Sequence, residues 1–425
     1  MVALGRAAAR VLGGDEFVVG RDTRESGPLL QTALSVGLAA EGAAVRDLGV
    51  LPTPGVAWVS AADAVPAAVI SASHNPYRDN GVKFFAAGGG KLDDSQEREL
   101  EATLDRIVAQ GQAGATVAAL DPSAGGIFAL DGAGRYADAL AGLFPRGLEG
   151  LFLVLDCANG AASGCAPDVF GALGAQVRTL HCDPDGRNIN AGCGSTHPDD
   201  LRRQVVADGA DMGLAFDGDA DRVLAVDHQG QLVDGDEIIA MLATDHHARG
   251  VLRNATVVVT VMSNLGLRQA LTKTGIAWFE TPVGDRSVLA ALENNGWSLG
   301  GEQSGHVILR DLATTGDGVL TGLALADVVR RSGRTLAELA SVMTKLPQVL
   351  RGVRVPKGFV LNGSAPWAEA LAAVEESLVG MGRVLVRPSG TEPVVRVMVE
   401  APTMVEAEAA CATLCAAVEA EVARF

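Results

Sequence analysis

Three aspartates at alternate positions form the densest group of potential metal ligands in the sequence. Asp217, Asp219 and Asp221 stand in the stretch Asp-Gly-Asp-Ala-Asp-Arg, directly after an apolar run that predicts a buried strand. Carboxylates this close repel one another unless a cation lies between them, so the stretch predicts a divalent metal site. A calcium-binding EF-hand loop is excluded, because Arg222 and His228 occupy the positions of its glycine and its last carboxylate. A solvated acidic turn remains the alternative.

A serine that could act as a nucleophile follows a second apolar run, residues 67–70. Ser73 and His74 precede Asn75-Pro76, a turn-forming pair that ends the strand and leaves the hydroxyl on exposed backbone. Proteins of the α/β class place their chemistry at such strand ends, although serine alone is a weak nucleophile. The stretch closes on Lys83. Taken alone, the motif is more simply explained as a turn that caps the next element.

Two further loops combine glycine with polar side chains. The stretch Gly-Gly-Glu-Gln-Ser-Gly-His offers an acceptor at Glu302, a donor at Ser304 and a proton carrier at His306, which suits sugar hydroxyls. A bend with a capping glutamate explains it equally well. Residues 387–396, Arg-Pro-Ser-Gly-Thr-Glu-Pro-Val-Val-Arg, form either a phosphate nest or a plain strand connection. Neither a P-loop nor a dinucleotide-binding fingerprint follows a predicted strand, so ATP and NAD are not implied.

Composition narrows the classes of partner. The chain has 51 acidic and 34 basic residues and a formal charge of -17, which disfavours nucleic acids and anionic membrane surfaces. No stretch approaches the roughly twenty apolar residues of a spanning helix, and no signal peptide is recognisable. The six cysteines show no C-x-x-C pairing. We therefore expect a cytoplasmic protein with a small-molecule substrate and with neither nucleic acid nor membrane as a partner.

These loops need strands to position them, and the pattern of apolar runs supplies three. Predicted strands at 67–70, 212–216 and 298–300 directly precede the serine, the aspartates and the glycine-rich loop. The sequence predicts three consecutive α/β domains with mixed, mostly parallel sheets and a smaller C-terminal α+β domain. We place the domains at residues 1–125, 126–228, 229–345 and 346–425, with one of the four loops in each.

Taken together, the four stretches resemble the signature loops of the phosphohexomutase superfamily, in matching order over essentially the whole chain. Within the superfamily, secondary motifs are most similar to those of bacterial phosphoglucosamine mutases, with phosphomannomutase/phosphoglucomutase as the runner-up. These motifs are residues 79–85, 188–190, 193–198, 283–286 and 314–318, together with Gln303. The resemblance implies domains arranged around a central cleft, and a monomer or homodimer.

The resemblance also implies a mechanism. Ser73, carried as phosphoserine, would transfer its phosphoryl group to a hexosamine phosphate, giving a sugar bisphosphate that reorients and returns its other phosphate to the serine. One Mg²⁺ would be held by the phosphoserine and the three aspartates. Lys83 is the implied general acid/base, and His306 is the second candidate. His74 and Arg222 would hold the phosphate in position.

The remaining implied roles concern the sugar and its second phosphate. Glu302, Ser304 and His306 would bind the sugar, and the last domain would act as a mobile clamp. The residues implied to hold the phosphate that is not reacting are Arg387, Ser389, Gly390, Thr391 and Arg396. The implied reaction interconverts glucosamine 6-phosphate and glucosamine 1-phosphate and feeds the synthesis of UDP-N-acetylglucosamine and the cell wall.

The start of the chain departs from the family pattern. Members begin with a strand and a Gly-Thr-Asp-Gly-Ile-Arg-Gly loop, whereas Met1 here opens directly into a helical pattern. We therefore expect upstream sequence to be missing. A catalytically weak phosphosugar-binding protein is the second hypothesis.

Overall fold

The computed structural model describes residues 1–111, 126–361, 365–389 and 392–425. It divides into two compact units, one formed by Met1–Met262 with Gly275–Val342 and the other by Ser263–Thr274 with Met343–Phe425. Three mixed sheets lie in the first unit and an antiparallel sheet in the second, which confirms the predicted fold class. Among the described helices, none is long and apolar enough to cross a bilayer.

The first sheet is built largely from βα units. Its elements are α1 (Val2–Leu12), β1 (Glu16–Arg21), α2 (Gly27–Ala39), β2 (Ala44–Val50), α3 (Thr53–Asp63), β3 (Ala67–Ile70), β4 (Val82–Phe85), α4 (Asp94–Ala109) and β5 (Ile127–Ala129). The strand order is β4-β3-β1-β2-β5, and every pair is parallel except β3 with β4. Because β5 pairs with β2, this sheet includes residues beyond the boundary predicted at 125. The four domain boundaries otherwise stay predictions.

Helices α1 and α2 pack closely beside this sheet because two glycines face each other. A Cβ atom at Gly5 or at Gly37 would lie 2.1 Å from a backbone oxygen of the other helix. The core beneath them contains Phe17, Leu34 and Ile70, all fully buried. Burying each such side chain contributes about 1.5–3 kcal/mol to the stability of the fold. The end of the sheet that carries the serine loop is therefore supported by a well-packed core.

The second sheet carries the aspartates. Its elements are α5 (Gly132–Gly142), β6 (Phe152–Asp156), α6 (Ala166–Ala172), β7 (Gln176–Leu180), α7 (Asp199–Asp208), β8 (Met212–Phe216), β9 (Val223–Asp227) and β10 (Leu232–Val233). In the order β10-β9-β8-β6-β7, strand β6 is parallel to its two neighbours and the other pairs are antiparallel. Strands β8 and β9 are buried at every position, so the turn between them begins and ends on fixed backbone.

The third sheet has the order β12-β11-β13-β14, with only the last pair antiparallel. The elements of this part of the chain are α8 (Gly235–Ala248), β11 (Thr256–Thr260), α9 (Leu265–Lys273), β12 (Ala277–Thr281), α10 (Asp285–Asn295), β13 (Leu299–Gly301), β14 (Val307–Leu309), α11 (Gly318–Ser332) and α12 (Leu336–Ala340). Helix α9 belongs to the second compact unit.

The second unit contains an antiparallel sheet in the order β15-β17-β16. Its further elements are β15 (Gln348–Arg354), α13 (Ala365–Ser377), β16 (Arg383–Pro388), β17 (Val394–Glu400) and α14 (Met404–Val422). Its core is apolar and includes Trp367, Val397, Cys411 and Leu414.

Each of the four loops singled out in the sequence comes between two antiparallel strands. Residues 71–81 join β3 to β4, 217–222 join β8 to β9, and 302–306 join β13 to β14. The fourth loop comes between β16 and β17, and its residues 390 and 391 lie outside the described part of the chain. The structure thus adds a return strand to each of the first three loops, where the sequence analysis predicted only the strand before it.

Candidate active site

The serine loop is built around a buried arginine. Arg24 is 1% exposed and its Nε donates to the carboxylate of Asp22 at 2.9 Å. Its four terminal N–H groups donate to four carbonyl oxygens of the loop, those of Ser73, Asn75, Pro76 and Asp79. A guanidinium has five N–H donors, so all of them are used. Arg24 therefore fixes the course of the loop.

Ser73 has a left-handed backbone, with φ of 49°, which is uncommon outside glycine. Its N–H donates to Ser71 Oγ at 2.9 Å, and Asn190 Nδ2 donates to its carbonyl at 2.9 Å. The hydroxyl Oγ then donates to Asp217 Oδ2 at 2.6 Å. Gly218 allows this approach, because a Cβ atom there would lie 2.6 Å from the Ser73 carbonyl oxygen.

The three aspartates form a buried cup beside the serine. Asp217 and Asp219 are fully buried and Asp221 is 4% exposed, and one carboxylate oxygen from each lies within 4.8 Å of the other two. Thr53 Oγ1 donates to Asp219 Oδ2 at 2.6 Å. Burial, and then the charges of the other two aspartates, raise the pKa of Asp217 well above its usual value. The structure therefore brings Ser73 and the three aspartates together. Burial and mutual repulsion disfavour the charged form of Asp217 there.

Lys83 supplies positive charge to this cup. It lies on β4, and its Nζ is 2.7 Å from Asp219 Oδ2 and 3.1 Å from Asp221 Oδ2. Burial alone would lower the pKa of Lys83, but the two carboxylates raise it above its usual value. The lysine is therefore protonated in this arrangement.

The cup has the chemistry of a site for a hard divalent cation. Asp219 Oδ1 and Asp221 Oδ1 are buried and make no hydrogen bond to any residue that the structure describes. A buried polar atom without a partner is costly, and carboxylate oxygens are preferred ligands of Mg²⁺. The aspartates therefore fit the metal that the sequence predicts.

Cationic and titratable side chains surround the cup. Arg222 Nε lies 3.7 Å from Asp221 Oδ1, and His74 Nδ1 lies 3.4 Å from both Ser73 Oγ and Arg222 Nη1. Burial, and secondly Arg222, lower the pKa of His74. His306 is buried, with Nδ1 3.7 Å from Asp221 Oδ1. These groups would face an anion bound to the serine.

The glycine-rich loop is fastened by its glutamate. Glu302 Oε1 accepts a hydrogen bond from the Gly284 N–H at 3.0 Å, and the next residue, Asp285, forms an ion pair with Lys91. Ser304 is exposed at the tip of the turn. Glu302 thus has a fixed position, while Ser304 is exposed to solvent.

The fourth loop lies in the second unit. Arg387 on β16 stands directly opposite Arg396 on β17, so the two side chains share one face of the sheet. Like charges in this position destabilise a sheet unless an anion lies between them. Ser389 is at the start of the turn, while Gly390 and Thr391 lie outside the described residues.

Several residues of the site were given no role from the sequence, although Asn190 lies in one of the secondary motifs. Arg24 and Asp22 follow the end of β1, Thr53 begins α3, and Asn190 lies in the loop after β7. A signal for the first pair does exist, since polar residues after a buried parallel strand mark the active edge of such sheets. Thr53 and Asn190 make contacts more than 100 residues away along the chain, which no local pattern reveals.

Comparison with known proteins agrees with this geometry. Models of the phosphoglucomutase/phosphomannomutase family match over the chain: α/β/α domain I at residues 1–110, domain II at 135–230, domain III at 234–346 and the C-terminal domain at 325–417. The chain belongs to this family of phosphohexomutases, which are isomerases.

The relatives define its place within the family. A phosphoglucosamine mutase of Renibacterium salmoninarum is 49% identical over 431 residues, covering 99% of this chain and 94% of that protein. A phosphoglucosamine mutase of Paenarthrobacter aurescens is 51% identical over 426 residues, with 98% and 92% covered. A solved phosphoglucomutase/phosphomannomutase family protein of Burkholderia thailandensis has a TM-score of 0.80 at 26% identity, with 99% and 93% covered. The chain groups with the phosphoglucosamine mutases, which confirms the resemblance seen in the sequence.

Proposed function

We propose that this protein interconverts glucosamine 6-phosphate and glucosamine 1-phosphate. The observation that carries the proposal is the 2.6 Å hydrogen bond from Ser73 Oγ to Asp217 within a buried triad of carboxylates. A hydroxyl in this place can carry a phosphoryl group beside a bound cation. The name of the relatives, phosphoglucosamine mutase, indicates the substrate.

In the proposed reaction Ser73 begins as phosphoserine. A sugar hydroxyl attacks the phosphorus and gives up its proton, and the bond from phosphorus to Ser73 Oγ breaks. The sugar bisphosphate formed in this way reorients and returns its other phosphate to Ser73. Phosphoryl transfer depends mainly on positioning and on stabilising charge, which the fixed serine loop and the surrounding cations supply.

One Mg²⁺ held by Asp217, Asp219, Asp221 and an oxygen of phosphorylated Ser73 would offset negative charge on the phosphoryl group. The protein adds its own cations to the same group. Arg222 and His74 lie on the solvent side of Asp221 and Ser73 and are proposed to hold the phosphoryl oxygens in line for attack.

Lys83 is the proposed general acid/base. Its protonated ammonium contacts two aspartates of the cup that also binds Ser73, so it can give a proton to Oγ as that oxygen leaves. Once it has given up this proton, Lys83 can accept the proton that the attacking sugar hydroxyl releases, so the two transfers balance. His306 is the second candidate.

Binding of the sugar is assigned to Glu302, Ser304 and His306. Arg387, Ser389 and Arg396, with Gly390 and Thr391, are proposed to hold the phosphate that is not reacting. The two arginines that face each other across β16 and β17 support this assignment, because a phosphate between them would remove their repulsion.

We place the reaction in the cytoplasm, where its product would feed UDP-N-acetylglucosamine and cell-wall synthesis. A sugar bisphosphate is proposed as activator. If an enzyme molecule releases the bisphosphate intermediate, its Ser73 stays unphosphorylated, and a sugar bisphosphate that binds can phosphorylate the serine again. Whether the chain acts as a monomer or a homodimer stays a prediction.

Intact mass and a coupled assay test the proposal together. The protein should carry one phosphoryl group that is absent in Ser73→Ala but present in Ser377→Ala, a control at an exposed position of α13. Glucosamine 6-phosphate should be converted in the presence of Mg²⁺, and EDTA should abolish the activity. Equal or better turnover of mannose or glucose phosphates would favour the runner-up function. A Ser73→Ala protein with full activity would refute the mechanism.

A further inference from the structure

A second cluster of metal-ligand side chains lies at the carboxyl ends of β6 and β7, apart from the aspartate cup. It consists of Asp156, His181 and Cys193, and one ligand atom from each lies within 4.8 Å of the other two. Asp156 and Cys193 are fully buried, and 26% of the His181 side chain is exposed. The proposed reaction uses none of the three.

The histidine is oriented as a metal ligand would be. Its buried Nδ1 lies 3.1 Å from Asp156 Oδ2. Its other ring nitrogen, Nε2, lies 3.4 Å from a carboxylate oxygen of Asp200. Metal-binding histidines commonly have this pairing, in which one nitrogen faces the metal and a carboxylate orients the other.

The aspartate is held in place with its coordinating capacity intact. Asp156 Oδ1 accepts the Ala158 N–H and Oδ2 accepts the Gly194 N–H, each at 2.9 Å. Each carboxylate oxygen has two lone pairs, so both can still bind a cation. The donor from Gly194 also draws the loop that carries Cys193 towards the end of β6.

We propose that Asp156, His181 and Cys193 bind a zinc-type divalent cation. A thiolate, an imidazole and a carboxylate are a ligand set of Zn²⁺, whereas the three carboxylates beside Ser73 suit Mg²⁺. A water molecule would supply the fourth ligand of the tetrahedral ion.

Such an ion would stabilise the segment between β7 and α7, which contacts the serine loop. Asn190, three residues before Cys193, donates from its side chain to the Ser73 carbonyl, and its N–H donates to Ala158 at the end of β6. A cation joining Cys193 to Asp156 would close the same loop at its other end. The proposed role is structural support of the site.

Cobalt substitution tests the site without relying on activity. With excess Mg²⁺ present, one equivalent of Co²⁺ should produce the near-ultraviolet charge-transfer band of a thiolate ligand, and Zn²⁺ should displace it. The aspartate cup contains no sulfur and cannot give this band. Cys193→Ser should remove the band, whereas Cys182→Ser and Cys411→Ser should keep it.

His181→Asn provides a second variant that spares the backbone. His181 has φ of 46°, a conformation that asparagine adopts more readily than most residues. This variant should keep its far-ultraviolet circular dichroism but bind Zn²⁺ at least tenfold more weakly in competition with a chelating dye. No band in the unsubstituted protein, or a band that survives Cys193→Ser, would show that the cluster is a buried imidazole between carboxylates and would overturn the proposal.

Discussion

Several charged residues of this site are buried, so removing one of them leaves its partner without a counter-charge. Lys83 is the clearest case. Its ammonium group pairs with Asp219 and Asp221, which are almost fully buried. Removing one partner of a fully buried ion pair costs roughly 3–5 kcal/mol, because the other charge is left without compensation. Since 30% of the Lys83 side chain is exposed, the cost here should be smaller.

Lys83→Met should lower kcat by about 10²–10⁴-fold, the usual contribution of a general acid/base, with a smaller change in KM. The metal-free variant should also unfold at a lower temperature, and Mg²⁺ should restore part of the loss by neutralising the aspartates. Steady-state kinetics and thermal unfolding with and without Mg²⁺ measure both effects. Lys273→Met, at an exposed position of α9, is the matched control. A kcat within threefold of the unsubstituted protein would exclude Lys83 as the proton carrier.

At the scale of elements, the site depends on how helix α11 begins. Asp317 caps α11 by accepting the Leu320 N–H at 2.9 Å, and it also accepts a hydrogen bond from Tyr136 Oη at 2.7 Å. The neighbouring Gly316 packs against the imidazole of His306, and the Gly318 N–H donates to Ala220 in the aspartate turn. The cap therefore joins α11 to two of the loops that carry the site.

This cap makes stability depend on pH in a defined direction. Burial raises the pKa of Asp317 from 3.8 to about 6, so the folded state is penalised where the carboxylate ionises. The penalty is absent below the unfolded pKa and complete above the folded one, where it reaches about 3 kcal/mol. Asp317→Asn does not titrate at this position. Its free energy of unfolding, relative to the unsubstituted protein, should therefore rise as pH increases from 4 to 7. Urea unfolding across this range measures the difference, and a constant difference would contradict it.

Comparison of predicted and observed strands shows which parts of the fold could be predicted from the sequence. Continuous apolar runs predicted β3 and β8 at their observed bounds, because a strand buried on both faces leaves an unbroken hydrophobic signal. The return strands β4 and β14 were not predicted, since they have four and three residues and one of them contains a lysine. The short motifs located the reactive side chains. Arg24 and Asp22 are marked in the sequence only by their place after β1, and the contact of Thr53 with Asp219 is not encoded by any local spacing.

At the scale of the whole molecule, an acidic protein has to bind an anionic substrate. The formal charge of -17 repels a sugar phosphate at long range, so binding depends on local cations. Arg387 and Arg396 are the local pair proposed for this role in the second unit; they stand opposite each other across the strands, and Arg396 Nη2 also lies 3.3 Å from Glu392 Oε2.

Arg396→Gln should therefore separate stability from function. Like charges directly opposite in a sheet destabilise it, typically by 0.2–1 kcal/mol, so the variant should unfold at the same or a slightly higher temperature. Its KM for glucosamine 6-phosphate should rise tenfold or more, because a charge-assisted contact to phosphate is lost. Arg351→Gln, at an exposed position of β15 on the opposite side of the sheet from Arg396, is the control. An unchanged KM would remove the arginine pair from phosphate binding.

The buried position of Arg24 gives the serine loop a resistance to ionic strength that neighbouring contacts lack. Salt screens charges in water far more than charges enclosed by protein. Two sets of ion pairs, Lys91 with Asp285 and Arg286 with Asp94 and Glu97, join the segment around the start of α4 to the start of α10 through partly exposed side chains. Concentrated salt should loosen that junction while the backbone around Ser73 keeps its shape. At high salt concentration the loop around Ser73 would therefore keep its geometry. Gly284 and Asp285, beside Glu302, would lose the support of the ion pair with Lys91.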